Sequence, residues 1–202
     1  MTHGPAEPRS AASALSDATV AATAARLFDE RGFNRVTMQA LADELGVAKP
    51  TLYVHHHSKA AILELICRRV LEQGDRHLDE ACALPTPREQ LERLLRNWLA
   101  TAVSERAEYR TFWSAQNELS SQVNEHFRTW SRGAVKRLRD IVAEGQRAGS
   151  FRPELDPTIV AFDIIALIMW TPRWYRPGGR LDLDLIAEQH LLLLSGGVLP
   201  RD

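Results

Sequence analysis

The sequence predicts an all-α fold, with a compact three-helix head and a larger helical body. Apolar residues recur at helical spacing along the chain, and the two-residue alternation typical of strands is absent. Glycines and prolines interrupt this pattern where helices should end. With 202 residues, of which 45% are hydrophobic and 25% charged, the chain can bury a sizeable core. We expect a flexible arm at residues 1–14, the head at 15–60 and the body at 61–202.

Three short helices are expected in the head. The first, over about residues 16–31, carries an apolar face that begins at Val20, and Gly32 ends it. The second begins at Thr37, which is a good N-cap residue, and the third covers about residues 49–55. Together these helices make a small unit that precedes a longer helical region.

The body is expected to begin with a fourth helix, which Ser58 can cap and which continues past Leu78 until Pro85 and Pro87 end it. Five further helices are expected, over about residues 88–104, 107–119, 122–148, 156–170 and 182–195. The last two are apolar on all sides, so they need partners all round, and a second subunit is a natural source of them.

Composition excludes several classes of protein. Lys and Arg total 25 and Asp and Glu total 26, which rules out a protein that coats nucleic acid by bulk charge but not a local DNA-reading surface. Two cysteines, Cys67 and Cys82, give no disulfide framework and suggest a reducing compartment. Residues 1–14 lack the apolar segment of a signal peptide, and the apolar run at 164–170 is too short to span a bilayer. We therefore expect a cytoplasmic protein with no membrane segment.

Residues 37–63, TMQALADELGVAKPTLYVHHHSKAAIL, contain a helix, a tight glycine turn and a second short helix. Leu41 and Leu45 would bury the first helix, while Val47 and Leu52 would anchor the second. One face of the second helix is then free to enter a major groove of DNA. This is the helix-turn-helix arrangement.

The same segment resembles the TetR family of transcriptional regulators. The resemblance rests on Thr37, Leu41, Ala42, Leu45, Gly46, Val47, Thr51, Leu52, Tyr53, His55, Ser58, Lys59 and Leu63. It is strong over about residues 20–65 and extends to the rest of the chain only through size and helix order. The chain departs from the family at His56, where an aromatic residue is usual.

The resemblance implies a DNA-binding set made of Thr37, Lys49, Pro50, Thr51, Tyr53, His55 and Lys59. Thr37, Tyr53 and Lys59 would hold phosphates, and residues 49–51 at the exposed start of the recognition helix would meet base edges. Residues 1–59 carry six basic and six acidic side chains, so nonspecific affinity for DNA should be modest. Specific binding should then depend on two heads of a homodimer on a palindromic operator.

Aromatic side chains are concentrated in the body, where they could be core or could line one apolar cavity. The predicted ligand pocket consists of Trp98, Phe112, Trp113, Gln116, Asn117, Phe127, Trp130, Phe162 and Trp170. The predicted dimer interface consists of Ile164, Ile168, Leu192 and Leu193. A basic stripe on one helix face, made of Arg128, Arg132, Lys136 and Arg139, is either solvated or a site for a phosphorylated ligand group.

The expected function is a ligand-responsive transcriptional regulator, a repressor that a small hydrophobic ligand releases from its operator. Residues 170–183, WTPRWYRPGGRLDL, look similar to TetR-like regulators of lipid and steroid catabolism that respond to acyl-CoA thioesters. The competing ligand is a flat or cationic compound stacked on tryptophans, which would favour Asp163 or Glu118 in the pocket.

The sequence offers no catalytic motif, since a Gly-rich phosphate loop, G-x-S-x-G and H-E-x-x-H are all absent. Adjacent histidines on a helix point about 100° apart, so the three at positions 55–57 cannot all face one metal ion. We therefore expect no metal site, no cofactor and no enzymatic activity. Two alternatives stay open: an adaptor or ligand-binding protein that has lost DNA binding, and an α-helical metal-dependent enzyme.

Overall fold

The computed structural model describes residues 15–198, with side chains up to residue 194, and within that part all regular structure is helical. Its nine α-helices are α1 Asp17–Arg31, α2 Met38–Leu45, α3 Lys49–His55, α4 Lys59–Cys82, α5 Pro87–Ser104, α6 Arg106–Ser114, α7 Ser121–Arg147, α8 Pro157–Trp174 and α9 Leu183–Val198. None of these described helices is both long and apolar enough to cross a bilayer. The all-α prediction is confirmed, and the predicted arm at residues 1–14 lies outside the described part of the chain.

Local capping sets the helix boundaries of the head. Ser16, Thr37 and Ser58 each accept a hydrogen bond from the backbone N–H three residues later, at 3.2, 3.1 and 3.0 Å. Gly46 ends α2 in the left-handed conformation, with a φ of 69°, and two backbone bonds close the turn behind it. This turn fixes the angle at which α3 leaves α2.

Two helix ends in the body differ from the sequence prediction. The helix expected over residues 107–119 ends at Ser114 and is followed by a short 3-10 turn. α8 was expected to end at Trp170 but continues through Pro172 to Trp174. Pro172 has no N–H to donate to the carbonyl four residues earlier, but the helix continues past it, since the Tyr175 N–H donates to the carbonyl of Thr171 at 3.0 Å. The longer α8 brings one additional turn of side chains beside Trp170.

The head and the body share one continuous hydrophobic core, which runs from Val20 to Leu194. α4 begins in the head and continues into the body, so the predicted boundary at residue 60 falls within a helix. α1 packs on α6, where the buried Thr111 hydroxyl donates to the carbonyl of Ala25 at 3.1 Å. The head therefore rests directly on a helix of the body.

Packing inside the body is tight at two glycines. A Cβ atom on Gly74 would lie 2.5 Å from the ring of Trp130, and one on Gly145 would lie 2.1 Å from the ring of Phe151. The absence of side chains at these positions lets α4 and α7 receive large aromatic rings. The interior of the body is thus a filled core at these contacts.

Candidate DNA-binding surface and ligand cavity

The recognition helix α3 is displayed outward. Leu52 is fully buried, while the other six of its seven residues are exposed, including Tyr53 at 42% and Val54 at 81%. Leu52 therefore anchors the helix in the core, and the remaining face of the helix is free to enter a major groove of DNA.

The segment that contains α3 carries two lysines and no acid, although residues 1–59 as a whole are neutral. No acidic residue occurs between Glu44 and Glu64, and Lys49 has no carboxylate within 4 Å among the described residues. Arg26 pairs with both Glu30 and Glu44, which offsets one of these two negative charges. The Lys49 ammonium lies 5.9 Å from the ring centroid of Tyr53, one turn along α3. This local charge suits a phosphate backbone.

Thr37 is exposed at the start of α2, where helix N–H groups are unpaired. Its hydroxyl oxygen accepts the capping bond from Ala40, which leaves the hydroxyl hydrogen free to donate. Thr37 can thus cap the helix and contact a phosphate at the same time.

Lys59 does not occupy the position expected of a phosphate contact. Its ammonium donates to the carbonyls of Phe33, Val36 and Asn34 at 2.6, 2.9 and 3.4 Å. It also lies 4.4 Å from the Phe33 ring centroid. All three N–H donors are directed at the protein, so Lys59 ties the start of α4 to the turn before α2, and its predicted role on DNA is corrected to a structural one.

His56 replaces the aromatic residue that is usual at the end of the recognition helix. Its backbone N–H donates to the carbonyl of Leu52 at 2.8 Å, and its imidazole Nε2 lies 3.8 Å from a carboxylate oxygen of Asp17. Burial lowers the pKa of His56 despite that carboxylate, so the ring packs as a neutral core side chain. His55 and His57 are exposed, and the described residues contain no His, Cys, Asp or Glu cluster suited to a metal ion.

A cavity of about 560 Å³ lies between α8 and α9. Its lining consists of Leu155, Val160, Asp163, Ala166, Leu167, Trp170, Thr171, Trp174, His190, Leu193 and Leu194. Three of these are polar. The His190 ring lies 3.5 Å from the Thr171 hydroxyl, and burial lowers the pKa of His190, so a neutral imidazole is favoured. The cavity suits a largely apolar ligand that is oriented by a few polar groups.

Among the nine residues of the predicted ligand pocket, Trp170 alone lines this cavity. Trp98 and Trp130 form one aromatic cluster, with ring centroids 6.2 Å apart. Trp98 is fully buried and donates to the Tyr109 hydroxyl at 3.1 Å. These rings pack at the contacts between α4, α5 and α7, away from the lining of the cavity between α8 and α9.

The other predicted pocket residues are also dispersed. Phe112, Trp113 and Phe127 form a second cluster, with centroids 5.1 to 6.1 Å apart. Asn117 and Phe162 are exposed, the latter at 56% on α8. Buried polar atoms without a hydrogen-bond partner occur at Trp113, Gln116 and Trp130. The expected single pocket is therefore corrected to two core clusters and a separate cavity.

The basic stripe on α7 is a solvated face. Its four residues have side chains 45% to 71% exposed, and none of them lines the cavity. Glu125 pairs with two of its arginines at 3.2 and 3.3 Å, and Asp140 pairs with its lysine and third arginine at 2.7 and 3.3 Å. Each basic side chain of the stripe thus has a carboxylate partner, and the stripe does not line the ligand cavity.

The described chain has nine exposed large hydrophobic side chains, of which seven lie on α8 and α9. The seven are Ile159, Phe162, Trp170, Trp174, Leu185, Leu192 and Leu193. Ile164 and Ile168 have no exposed surface in the single chain, so their predicted place in the dimer interface is corrected to the core. The apolar face of α8 is the one that carries Ile159, Phe162 and Trp170.

The predicted ligand pocket did not include Trp174, His190 or Arg173, although Trp174 and Arg173 lie in the segment 170–183 that carries the resemblance to acyl-CoA-responsive regulators. Asp163, Trp170 and Trp174 recur at helical spacing and could have identified the cavity face of α8. The pattern was hidden because Pro172 suggested an earlier helix end and because α8 is apolar on nearly all sides.

Two family models match the chain. "Bacterial regulatory proteins, tetR family" matches residues 20–66, and "Tetracyclin repressor-like, C-terminal domain" matches residues 84–198. The HTH-type transcriptional repressor KstR2 of Mycolicibacterium smegmatis is 31% identical over 180 residues, which cover 87% of this chain and 86% of the relative. KstR2 of Mycobacterium tuberculosis is 29% identical over 178 residues, which cover 87% and 88%.

Solved structures agree with this match. The ketosteroid transcriptional regulator KstR2 of Mycobacterium tuberculosis has a TM-score of 0.82 at 26% identity and covers 92% of this chain and 95% of its own. AibR, solved in complex with isovaleryl coenzyme A and operator DNA, has a TM-score of 0.78 at 23% identity and covers 88% and 96%. The second likeness concerns the fold alone.

Proposed function

The chain belongs to the TetR family of bacterial transcriptional regulators, and on that premise we propose that it is a homodimeric repressor released from its operator by a small hydrophobic ligand. The observation that carries the proposal is that one chain presents two separate surfaces of different chemistry. One is the exposed recognition helix α3, whose Lys49 has no carboxylate partner among the described residues, and the other is the apolar cavity between α8 and α9. The protein acts in the cytoplasm and leaves its ligand chemically unchanged.

On DNA, α3 lies in the major groove. Lys49, Pro50 and Thr51 at its exposed start face base edges, and His55 lies at its other end. Tyr53 and Thr37 hold phosphates through their hydroxyls, which fixes the orientation of the head without reading sequence. The exposure of these side chains and the position of the Lys49 ammonium beside Tyr53 support the arrangement.

Two copies pair through the exposed apolar face of α8 and α9. Leu192 is 59% exposed and Ile159 is 62% exposed in the single chain, and burying such side chains contributes about 1.5 to 3 kcal/mol each. A two-fold contact places the same face of both copies together. It also holds two recognition helices at the fixed separation that a palindromic operator requires.

An acyl-CoA thioester is the ligand class that we favour. The cavity volume of about 560 Å³ falls within the usual range for ligand sites, and Trp170 and Trp174 provide flat apolar walls. Burial of an acyl chain there contributes about 0.8 kcal/mol per methylene. Support comes from the KstR2 relatives, one of which is described as a ketosteroid regulator, and from AibR, whose similar fold holds an acyl-CoA.

A cationic aromatic compound is the second candidate ligand, and the carboxylate of Asp163 in the cavity lining favours it. Asp163 would pair with the cation while Trp170 and Trp174 stack on the ring. The two ligand classes require opposite charges near the same tryptophans, so one set of compounds can separate them.

Ligand binding and DNA binding are coupled through helix contacts. α8 packs on α6, and α6 packs on α1 of the head. A ligand that binds more tightly when the two heads are wrongly spaced lowers DNA affinity by that difference in binding. Release therefore requires a differential affinity between the two states.

The test begins by selecting operator DNA from genomic fragments with the purified protein. Fluorescence anisotropy on that DNA then follows release by palmitoyl-CoA, by palmitate and by aromatic cations. We expect release by the thioester. Leu155→Trp, at a position that lines the cavity from the segment before α8, should fill it and abolish release while DNA binding persists, and Ala148→Trp, at an exposed position, should behave as wild type.

Sedimentation of both variants checks that the dimer is intact. Failure to select any DNA sequence would refute the regulator and favour an adaptor. Release by aromatic cations, with no response to the thioester, would transfer the ligand assignment to the second candidate.

A further inference from the structure

A polar cleft of about 240 Å³ lies where the head meets the body. It is lined by Asp29 of α1, Arg110 and Ser114 of α6, and Arg173 of α8. Arg110 pairs with Asp29 at 2.8 Å, whereas Arg173 has no carboxylate within 4 Å among the described residues. The cleft therefore holds two guanidinium groups against one carboxylate, and one of these groups is without an anion.

Arg173 connects this cleft with the apolar cavity. Its guanidinium carbon lies 4.5 Å from the ring centroid of Trp170, and Trp170 lines the cavity between α8 and α9. A guanidinium stacked on an indole keeps its in-plane N–H groups free to donate. A ligand whose apolar part packs on Trp170 thus has a forked donor for an anionic group beside it.

We propose that this cleft binds a phosphate group of the ligand, with Arg173 as its first partner and Arg110 as its second. The proposal rests on the proposed function, because the phosphates of a coenzyme A thioester are its anionic groups. Arginine binds phosphate bidentately through two parallel N–H bonds. The basic stripe on α7 was the alternative, but none of its four residues lines the cavity, and each of them already pairs with Glu125 or Asp140.

The site also carries the signal to the head. Arg110 is shared, since a phosphate in the cleft competes with Asp29 for the same guanidinium and repels that carboxylate. Asp29 lies on α1, so the competition loosens one of the ties between the head and α6. The Thr111–Ala25 hydrogen bond remains as the pivot about which α1 can move. In this mechanism the apolar part of the ligand supplies affinity and the phosphate supplies the change in the head.

The test measures dissociation constants by calorimetry for palmitoyl-CoA, coenzyme A and palmitate on the full-length protein. Arg173→Gln should weaken binding of both coenzyme A compounds about tenfold, because one charge-assisted pair is lost, and should leave palmitate unchanged. Asp29→Asn should tighten both, since it removes the competing carboxylate. Arg132→Gln, on the exposed stripe, is the matched control and should change none of the three constants.

The opposite signs expected for the two cleft variants separate a binding site from a folding defect, because a damaged protein does not bind more tightly. The proposal is overturned if Arg173→Gln matches Arg132→Gln, if Asp29→Asn fails to tighten binding, or if coenzyme A does not bind wild-type protein at millimolar concentration. If the variants show the expected pattern but palmitoyl-CoA releases no DNA, the cleft stands and the proposed function fails. If palmitate and palmitoyl-CoA bind and release DNA equally in every variant, the proposed function stands and the cleft is refuted.

Discussion

The head and the body expose their functional surfaces in different ways. In the head, one short helix is anchored by the single fully buried side chain Leu52 and presents mainly polar groups to DNA. In the body, α8 and α9 carry seven of the nine exposed large hydrophobic side chains of the described chain. A surface for DNA can stay hydrated in the free protein, whereas a large apolar face implies a partner.

The difference has a cause in how each region is built. Capping residues and one left-handed glycine determine the helices of the head, so its geometry is local. The geometry of the body depends on which faces of long apolar helices pack together. The head should therefore respond to single substitutions at its surface, and the body to substitutions that alter packing or pairing.

The largest effect should come from the exposed face of α9. Leu192→Glu would bury an unpaired carboxylate between two copies, which costs several kcal/mol and should yield a monomer. Because operator binding needs two heads, DNA affinity should fall by more than about a hundredfold. Sedimentation and fluorescence anisotropy measure the two effects.

Gln122→Glu, which adds the same charge at an exposed position of α7, is the control for that variant. It should remain dimeric and bind DNA normally. A dimeric Leu192→Glu protein with normal DNA affinity would mean that the copies pair elsewhere.

Two substitutions in the head separate a residue that stabilises the fold from a residue that contacts DNA. Lys59→Met should lower the free energy of unfolding by about 1.5 to 3 kcal/mol, because three carbonyls lose a charged donor. Tyr53→Ala should leave stability unchanged and weaken DNA binding about tenfold on all sequences, because a phosphate contact is lost. Urea unfolding and anisotropy separate the two variants.

The opposite result, a stable Lys59→Met protein that has lost only DNA affinity, would show that the lysine leaves its carbonyls to bind phosphate. Lys49→Ala completes the series, since loss of a base contact should change sequence preference rather than stability.

Much of the head could be predicted from the sequence because its signals are local. Ser16, Thr37, Ser58 and Gly46 have the structural effects that their residue types suggest. The role of Lys59 could not be read in this way, because its partners are backbone carbonyls more than 20 residues earlier. A charged side chain near DNA and a charged side chain in a turn look the same in sequence.

The ligand site was harder to predict for a physical reason. Aromatic residues such as Trp98 and Phe112 serve equally well as core or as cavity wall, and only packing decides between these roles. α8 is apolar around most of its circumference, so its periodicity does not show that Ile164 faces the core while Trp170 faces outward. The position of Arg173 in a cleft could not be predicted because the cleft also requires α1 and α6.

Two glycine substitutions in the body test the statement that packing determines its geometry, whereas local capping determines that of the head. Gly145→Ala would force Phe151 to move, because the new Cβ would lie 2.1 Å from its ring, and should cost about 1 to 3 kcal/mol of stability. Gly133→Ala lies on the same helix with nothing within 4 Å of the new Cβ, and should stabilise by about 0.5 to 1 kcal/mol. Equal unfolding free energies for the two variants would contradict the close contact.

The smallest expected effect is a loss of folding stability at low pH. The measurement asks whether a histidine of the head or the histidines of the body cause this loss. Burial lowers the pKa of His56 in the head and of His77 and His190 in the body. A folded-state pKa below the ordinary value of 6.5 means that the unfolded chain binds the proton first. Stability is therefore complete above about pH 6.5 and declines as the pH falls from there towards the lower pKa of the folded state.

His56→Phe should flatten this decline, because it removes one of the three histidines, while the change at any pH stays below about 1.4 kcal/mol per pH unit. The charges of His55, His57 and Arg68 lower the pKa of His56 further, whereas the charge of Asp17 raises it. Because Asp17 offsets part of the lowering, His56 should account for a modest share of the decline in stability. Val54→Phe, which adds the same ring at an exposed position of α3 and removes no titratable group, should leave the pH dependence as in wild type. Urea unfolding of the three proteins between pH 5 and 8 provides the measurement. If His56→Phe keeps the full decline, the acid response belongs to the two histidines of the body, and the head is held together independently of protonation.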